Sequence, residues 1–220
     1  MRHSAVAFDL DGTLYPAYRL NLRLLPFLLR NQRLLRAMNR ARKHLRRTAA
    51  YEGEFYGLQA RLMGEILNQD PQKVMEKNER LIYRGWEPFF KKIKLFPHLR
   101  ETLDAFRKAG IQMGLLSDFP PEKKLENLAL SDYWDLTLCS EQVGRLKPDP
   151  ASFLELARRM GKEPQDILYV GNSVSYDVQG AQRAGMKAAL IRPRWKRPPS
   201  TAEPVFVFYD YRQLRDYVLH

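Results

Sequence analysis

The chain opens on a short apolar run, Ala5-Val6-Ala7-Phe8, that stops abruptly at Asp9 and is followed by Asp11 and Gly12. A buried parallel strand feeding a loop has this form. From about residue 16 to 96 the pattern changes to long stretches rich in Leu, Arg and Lys with few β-branched residues, which predict helix. Pro26 suits a helix start. After it, Leu28, Leu35, Met38 and Leu45 recur at helical spacing with Arg33, Arg36, Arg40, Lys43 and Arg47 among them. This predicts an amphipathic basic helix. Beyond Pro97, helical and extended patterns alternate, as in a parallel sheet flanked by helices. Helices are expected over 98–108, 151–160, 177–184 and 211–219, and strands over 111–116, 136–139, 167–170, 188–191 and 205–208. Ala109-Gly110 supplies a helix stop. The stretch 192–204, with four prolines and four basic residues, reads as a surface loop. There is no internal repeat.

In an open parallel sheet, ligands bind in the crevice beyond the carboxyl ends of the strands. Four polar clusters fall at those ends: Asp9-Leu10-Asp11-Gly12-Thr13, Ser117-Asp118, Lys147-Pro148-Asp149-Pro150, and Gly171-Asn172-Ser173 through Asp177. One pocket is expected to gather them. Two carboxylates one residue apart on a tight turn divide labour, one attacking while the other manages the leaving group's proton. Gly12 allows close backbone approach, and Thr13 offers a hydroxyl and an amide to phosphate oxygens. Taken singly, each residue has a plain alternative: Asp9 and Asp11 as a solvated turn, Ser117 as a helix cap, Lys147 as a surface lysine.

At 220 residues, 45% hydrophobic and 28% charged, the chain has the composition of a folded globular protein with room for a sizeable core. Cys139 is its only cysteine, which excludes an intrachain disulfide and a thiolate zinc cluster. Asp9 and Asp11 interrupt the N-terminus too early for a signal peptide, and no apolar run approaches the roughly 18 residues of a spanning helix. A cytoplasmic setting is expected. The net charge of +12 is unevenly spread: residues 17–96 hold 18 Lys and Arg against 7 Asp and Glu, whereas the rest is nearly balanced. That segment is expected to have its own surface role.

Phe8-Asp9-Leu10-Asp11-Gly12-Thr13-Leu14 closely resembles the first motif of the haloacid dehalogenase-like hydrolases. Ser117 at a strand end, Lys147 in Lys-Pro-Asp-Pro, and Gly171-Asn172-Ser173-Val174-Ser175-Tyr176-Asp177 resemble the other three, in the family's order. The resemblance covers about residues 5–15 and 98–195. It implies an α/β, Rossmann-like three-layer core with a parallel sheet, made of 1–15 and 97–220, plus an inserted α-helical cap domain over 16–96. It also implies a phosphoaspartyl mechanism. Asp9 attacks phosphorus; Asp11 protonates the departing alkoxide and then deprotonates the hydrolytic water. The paired acids are those of the family's phosphatases and phosphomutases, whereas its dehalogenases lack the second. An anionic nucleophile meets a phosphate dianion only when charge is neutralised, so a hard divalent cation, magnesium by default, is expected. Its implied ligands are Asp9, the Asp11 carbonyl, residue 172 and Asp177. Lys147 and Ser117 would hold the phosphoryl group, with Gly12, Thr13 and Asp118 beside it. Two positions depart from the family: Asn172 where aspartate is usual, and Asp118 where asparagine is common, the latter restoring one acid near the site.

A cap in this place covers the pocket and chooses the leaving group, with hinges near 14–18 and 95–98. Between residues 19 and 47 there are ten Arg or Lys and no acid. A solvated face, an electropositive lid and a nucleic-acid or anionic-membrane surface all accommodate this. Tyr51, Phe55, Tyr56, Trp86, Phe89 and Phe90 fit cap core or pocket lining. The four histidines show no ligand spacing. The expected function is a magnesium-dependent phosphatase of small phosphorylated metabolites; a phosphomutase, or a weakly catalytic polyanion-binding protein, are the alternatives.

Overall fold

The computed structural model describes residues 4–48, 54–193 and 204–220. Tyr51, His3 and most of the proline-rich stretch 192–204 lie outside them. Strand β1 is Ala5–Phe8. The helical segment follows: α1 Ala17–Arg30, α2 Gln32–Leu45, α3 Phe55–Leu67, α4 Pro71–Asn78, a π-helical turn Glu79–Tyr83 and α5 Glu87–Phe90. The chain then alternates: α6 Leu99–Lys108, β2 Gln112–Ser117, α7 Glu122–Leu128, β3 Leu136–Cys139, α8 Ser140–Val143, α9 Pro150–Met160 and β4 Ile167–Gly171. It closes with a second π-helical turn Val174–Val178, α10 Gln179–Arg183, β5 Lys187–Ile191, β6 Phe206–Phe208 and α11 Tyr211–Leu219.

The six strands form one parallel sheet in the order β3-β2-β1-β4-β5-β6. β1 lies between β2 and β4, with Phe8 level with Leu115 on one side and Val170 on the other. The chain steps from β1 to β2 and β3 on one side and then returns to β4 on the other, so the strand order reverses at β1, where a crevice opens at the carboxyl ends. Alternation along the strand makes two cores. Val6 and Phe8 pack with Leu103, Phe106, Leu125 and Leu214 on one face. Ala5 and Ala7 pack with Phe153, Leu156, Tyr169 and Val178 on the other. A third cluster, built on Leu34, Met38, Met63, Val74 and Ile82, belongs to the helical segment. The segment is not cut off from the sheet, because Leu20, Leu24 and Phe90 join the first core.

Two expectations for the basic stretch are corrected. Pro26 starts no helix; it lies inside α1. A proline there deprives the Leu22 carbonyl of its intrahelical partner, but Leu22 and Pro26 are both exposed, where such a loss is tolerated. The expected single helix is also two, separated at Asn31, whose side-chain amide donates to the Phe27 carbonyl at 3.0 Å and closes α1. The predicted strands and the later helices fall within a few residues of their expected places; α7 and α8 were not anticipated.

Candidate active site

The Asp9 amide donates to the Val170 carbonyl at 2.9 Å, so its side chain emerges where the central strand leaves the sheet. The carboxylate is buried and held from both sides: Lys147 Nζ donates to Oδ1 at 2.6 Å, and Thr13 Oγ1 to Oδ2 at 2.7 Å. The same ammonium reaches Asp177 Oδ1 at 2.8 Å and the Tyr169 hydroxyl at 3.3 Å. The other Asp177 oxygen accepts the amides of Asn172 at 3.1 Å and Ser173 at 2.9 Å. Two buried carboxylates therefore share one cation. Burial pushes the Asp9 carboxyl up to about 7, reinforced by Asp177 and only partly opposed by Lys147. Burial works against the Lys147 ammonium, yet Asp177 and Asp9 hold its pKa well above the usual lysine value.

Two glycines let these loops meet. Gly12 has φ +90°, and a Cβ on it would stand 2.1 Å from Asn172 Nδ2, so the Asn172 amide lies directly against the first loop. A Cβ on Gly171 would stand 2.3 Å from Asp177 Cβ. Glycine at 171 thus admits Asp177, delivered by the π-helical turn, to the sheet edge. Asp9 and Asp177, two carboxylates around one ammonium, leave an excess of negative charge on oxygen donors, which suits a small hard divalent cation. Among the described residues there is no group of three or more His, Cys, Asp or Glu placed to hold a metal ion.

The Asp11 carboxylate accepts from the buried Tyr15 hydroxyl and, at 2.6 Å, from Lys124 Nζ. Ser117 Oγ accepts the Phe119 amide at 3.2 Å, which leaves its own proton to donate. Asp118, expected to restore one acid near the site, is bound through its carboxylate to the Lys147 amide and to groups of the helical segment. One oxygen accepts from Ser140 Oγ at 2.6 Å and the Lys147 amide at 3.1 Å; the other accepts from Arg46 at 2.8 Å. Burial disfavours its charge, but Arg42, Lys147 and Arg46 overcome this and hold its pKa below the usual carboxylate value.

The family model for haloacid dehalogenase-like hydrolases matches residues 3–185. The chain belongs to this family. It is 28% identical to the glyceraldehyde 3-phosphate phosphatase of Methanopyrus kandleri over 202 residues, covering 86% of this chain and 83% of that protein. It is 29% identical to the phosphoglycolate phosphatase of Escherichia coli over 197 residues, 82% of this chain and 77% of that one. Among solved structures, a 2-haloacid dehalogenase from Pseudomonas syringae pv. Tomato superposes with a TM-score of 0.69 at 25% identity, covering 98% of both chains. A phosphatase from Thermococcus onnurineus shares the fold, with a TM-score of 0.64 at 24% identity over 98% of both chains.

In this haloacid dehalogenase-like hydrolase, α2 fastens the helical segment to the loops that carry Asp118 and Lys147. Arg42, on the buried face of α2, pairs with the fully buried Glu141 and stacks 4.1 Å over the Phe119 ring. One turn on, Arg46 donates to the Lys147 carbonyl at 2.9 Å as well as to Asp118, and lies 4.7 Å over the Tyr176 ring. Tyr83 adds a hydroxyl bond to Glu141 at 3.2 Å. These residues carry a signal that motif reading passes over: Arg42 falls on the apolar stripe of Met38 and Leu45, where an arginine needs a buried partner. Lys124 was missed because α7 was missed, although Leu125 and Leu128 at helical spacing mark it. A cavity of about 750 Å³ lies between the helical segment and the loop leading into α7, lined by Tyr56, Tyr83, Trp86, Phe90, Phe119 and Lys124 among others. Of the aromatics weighed for pocket or core, Tyr56, Trp86 and Phe90 line it, whereas Phe55 is buried against Leu45 and Leu146.

Proposed function

We propose that this hydrolase removes phosphate from small phosphate monoesters, with Asp9 as nucleophile. The observation that carries the reading is the buried Asp9 carboxylate, held between Lys147 and Thr13 at the mouth of the sheet. The relatives named as glyceraldehyde 3-phosphate and phosphoglycolate phosphatases support phosphate esters of small metabolites as the substrate class. An Asp9 oxygen attacks phosphorus and the ester oxygen leaves; Asp11 gives that oxygen its proton. Asp11 then takes a proton from water, whose oxygen attacks the aspartyl phosphate and regenerates the Asp9 carboxylate. Lys147 and the Ser117 hydroxyl stabilise the phosphoryl oxygens, joined by the amides around Gly12 and Thr13. Tyr15 and Lys124 position the Asp11 carboxylate.

Magnesium is the cation this donor set favours, through the Asp9 carboxylate, the Asp11 carbonyl, the Asn172 side chain and Asp177. When bound it would supply the positive charge that keeps the nucleophile ionised and lets it approach a phosphate dianion. The helical segment 16–96 acts as a cap in this reading, with the adjoining cavity taking the leaving group. The Phe96 amide donates to the Leu14 carbonyl at 3.0 Å, pairing the two strands of chain that enter and leave the segment.

Release of inorganic phosphate from a panel of small esters, with magnesium, tests the proposal. Multiple turnovers are expected, and Asp9→Asn lowers them by at least about four orders of magnitude. Retention of turnover in Asp9→Asn overturns the mechanism. Transfer of phosphate within the substrate without release would assign a phosphomutase, and binding of polyanions without turnover would assign a binding protein.

A further inference from the structure

Helix α1 carries a row of large apolar side chains that no other described part of the chain covers. Tyr18, Leu22, Leu25 and Leu29, spaced by four, three and four residues, share one face and are 59, 65, 48 and 61% exposed. The row is about 16 Å long at 1.5 Å per residue. Nine large hydrophobic residues are exposed among the described residues, and four of them are here, so the exposure is concentrated rather than scattered. Leu20 and Leu24, on the other side of α1, are buried in the sheet's core and hold the helix in place.

Cations border this row. Arg19 and Arg23 donate to the carbonyls of Lys94 and Lys92 at 3.1 and 3.0 Å, which brings the segment 91–94 alongside α1 with Lys91, Lys92 and Lys94 exposed. Arg30 and Arg33 are exposed at the far end. Between residues 16 and 50 there is no Asp or Glu. A two-fold pairing of copies through this face would set each copy's cations against the other's. Duplex nucleic acid would answer the cations and leave the leucines in water. An anionic bilayer answers both, with leucine and tyrosine side chains in the acyl boundary and arginine and lysine heads at the phosphates.

We propose that the exposed face of α1, with the segment 91–94, docks this protein reversibly on an anionic phospholipid surface. No described helix is long and apolar enough to cross a membrane, so the protein lies on the surface through α1. The proposal is independent of the phosphatase reading.

Co-sedimentation of the full chain with phosphatidylglycerol–phosphatidylcholine vesicles tests it, against vesicles of phosphatidylcholine alone. Binding to the anionic vesicles, weakened by high salt, is expected. Leu22→Glu/Leu25→Glu lowers it at least about tenfold while the thermal unfolding midpoint stays near that of the wild type. Should that variant not fold, Lys91→Gln/Lys92→Gln/Lys94→Gln carries the test, with a loss of at least about tenfold. Failure of the wild type to bind anionic vesicles overturns the proposal, as does undiminished binding by a folded variant. A dimer split by the same leucine substitutions, or binding of duplex DNA, in either case without vesicle binding, also overturns it.

Discussion

Two ion clusters, one buried and one partly so, meet at the loop that carries Lys147, and they are built to different charge balances. In the first, Asp9 and Asp177 share the single ammonium of Lys147. In the second, Asp118 and Glu141 face two guanidiniums, Arg42 and Arg46. The consequence shows in the carboxylates. Asp9 is pushed up to about 7 by burial with too little opposing charge, whereas Asp118, half-buried, is held below the usual value by Arg42, Lys147 and Arg46; Glu141, fully buried, is raised by burial even beside Arg42. A balanced cluster fastens one element to another. An unbalanced one holds a carboxylate whose ionisation waits on a further cation, as a nucleophile with a metal partner requires.

Lys147→Met strikes the unbalanced cluster hardest. It leaves two buried carboxylates with no cation between them, and phosphate release is expected to fall about a thousandfold. Urea denaturation should show a loss of about 3–5 kcal/mol at pH 8, shrinking toward pH 5 as the carboxylates accept protons. Arg42→Met should cost a similar 3–5 kcal/mol, because Glu141 loses its cation in a fully buried position. Adding Glu141→Gln should recover part of that loss. No recovery would mean that Arg42 stabilises through stacking on Phe119 and not through charge balance.

The pH dependence of the metal-free protein, compared with Asp9→Asn, isolates the contribution of Asp9. Asp9 has a folded pKa above its unfolded value of about 3.9. Between that value and about 7 the folded state keeps a proton that the unfolded chain has released, so stability falls as pH rises through this window. Denaturation with a chelator at pH 5 and pH 8 should show this fall in the wild type and a smaller one in Asp9→Asn. Equal falls would remove Asp9 as its source. The smallest expected effect is Asn172→Asp, which adds a carboxylate to the donor set and should lower the magnesium concentration for half-maximal activity about tenfold. An unchanged requirement would exclude the Asn172 side chain as a ligand.

The elements that proved easiest to read were those whose pattern reports burial directly. β1, β3 and α11 appear within a residue of their expected limits because a buried strand or an amphipathic helix writes its surroundings into its hydrophobic spacing. The basic stretch was harder. Spacing alone does not distinguish one helix from two joined at Asn31, nor does it show that Pro26 faces solvent, where its missing donor is tolerated. The motif residues Asp9, Thr13, Lys147 and Asp177 come together as expected. Asp118 also meets Arg42 and Arg46, more than 70 residues away in the chain, which no local pattern shows.

The amino-acid sequence by itself determined the family, the parallel order of the later elements and the acids at the first strand's end, since these depend on short-range pattern. Only the tertiary structure decided what each charge faces. It assigns Lys147 to two acids, Arg42 and Arg46 to the fastening of α2, and the leucines of α1 to solvent. The energy of a buried charge depends on its nearest partners in space, and those partners are set by packing between segments far apart in the chain.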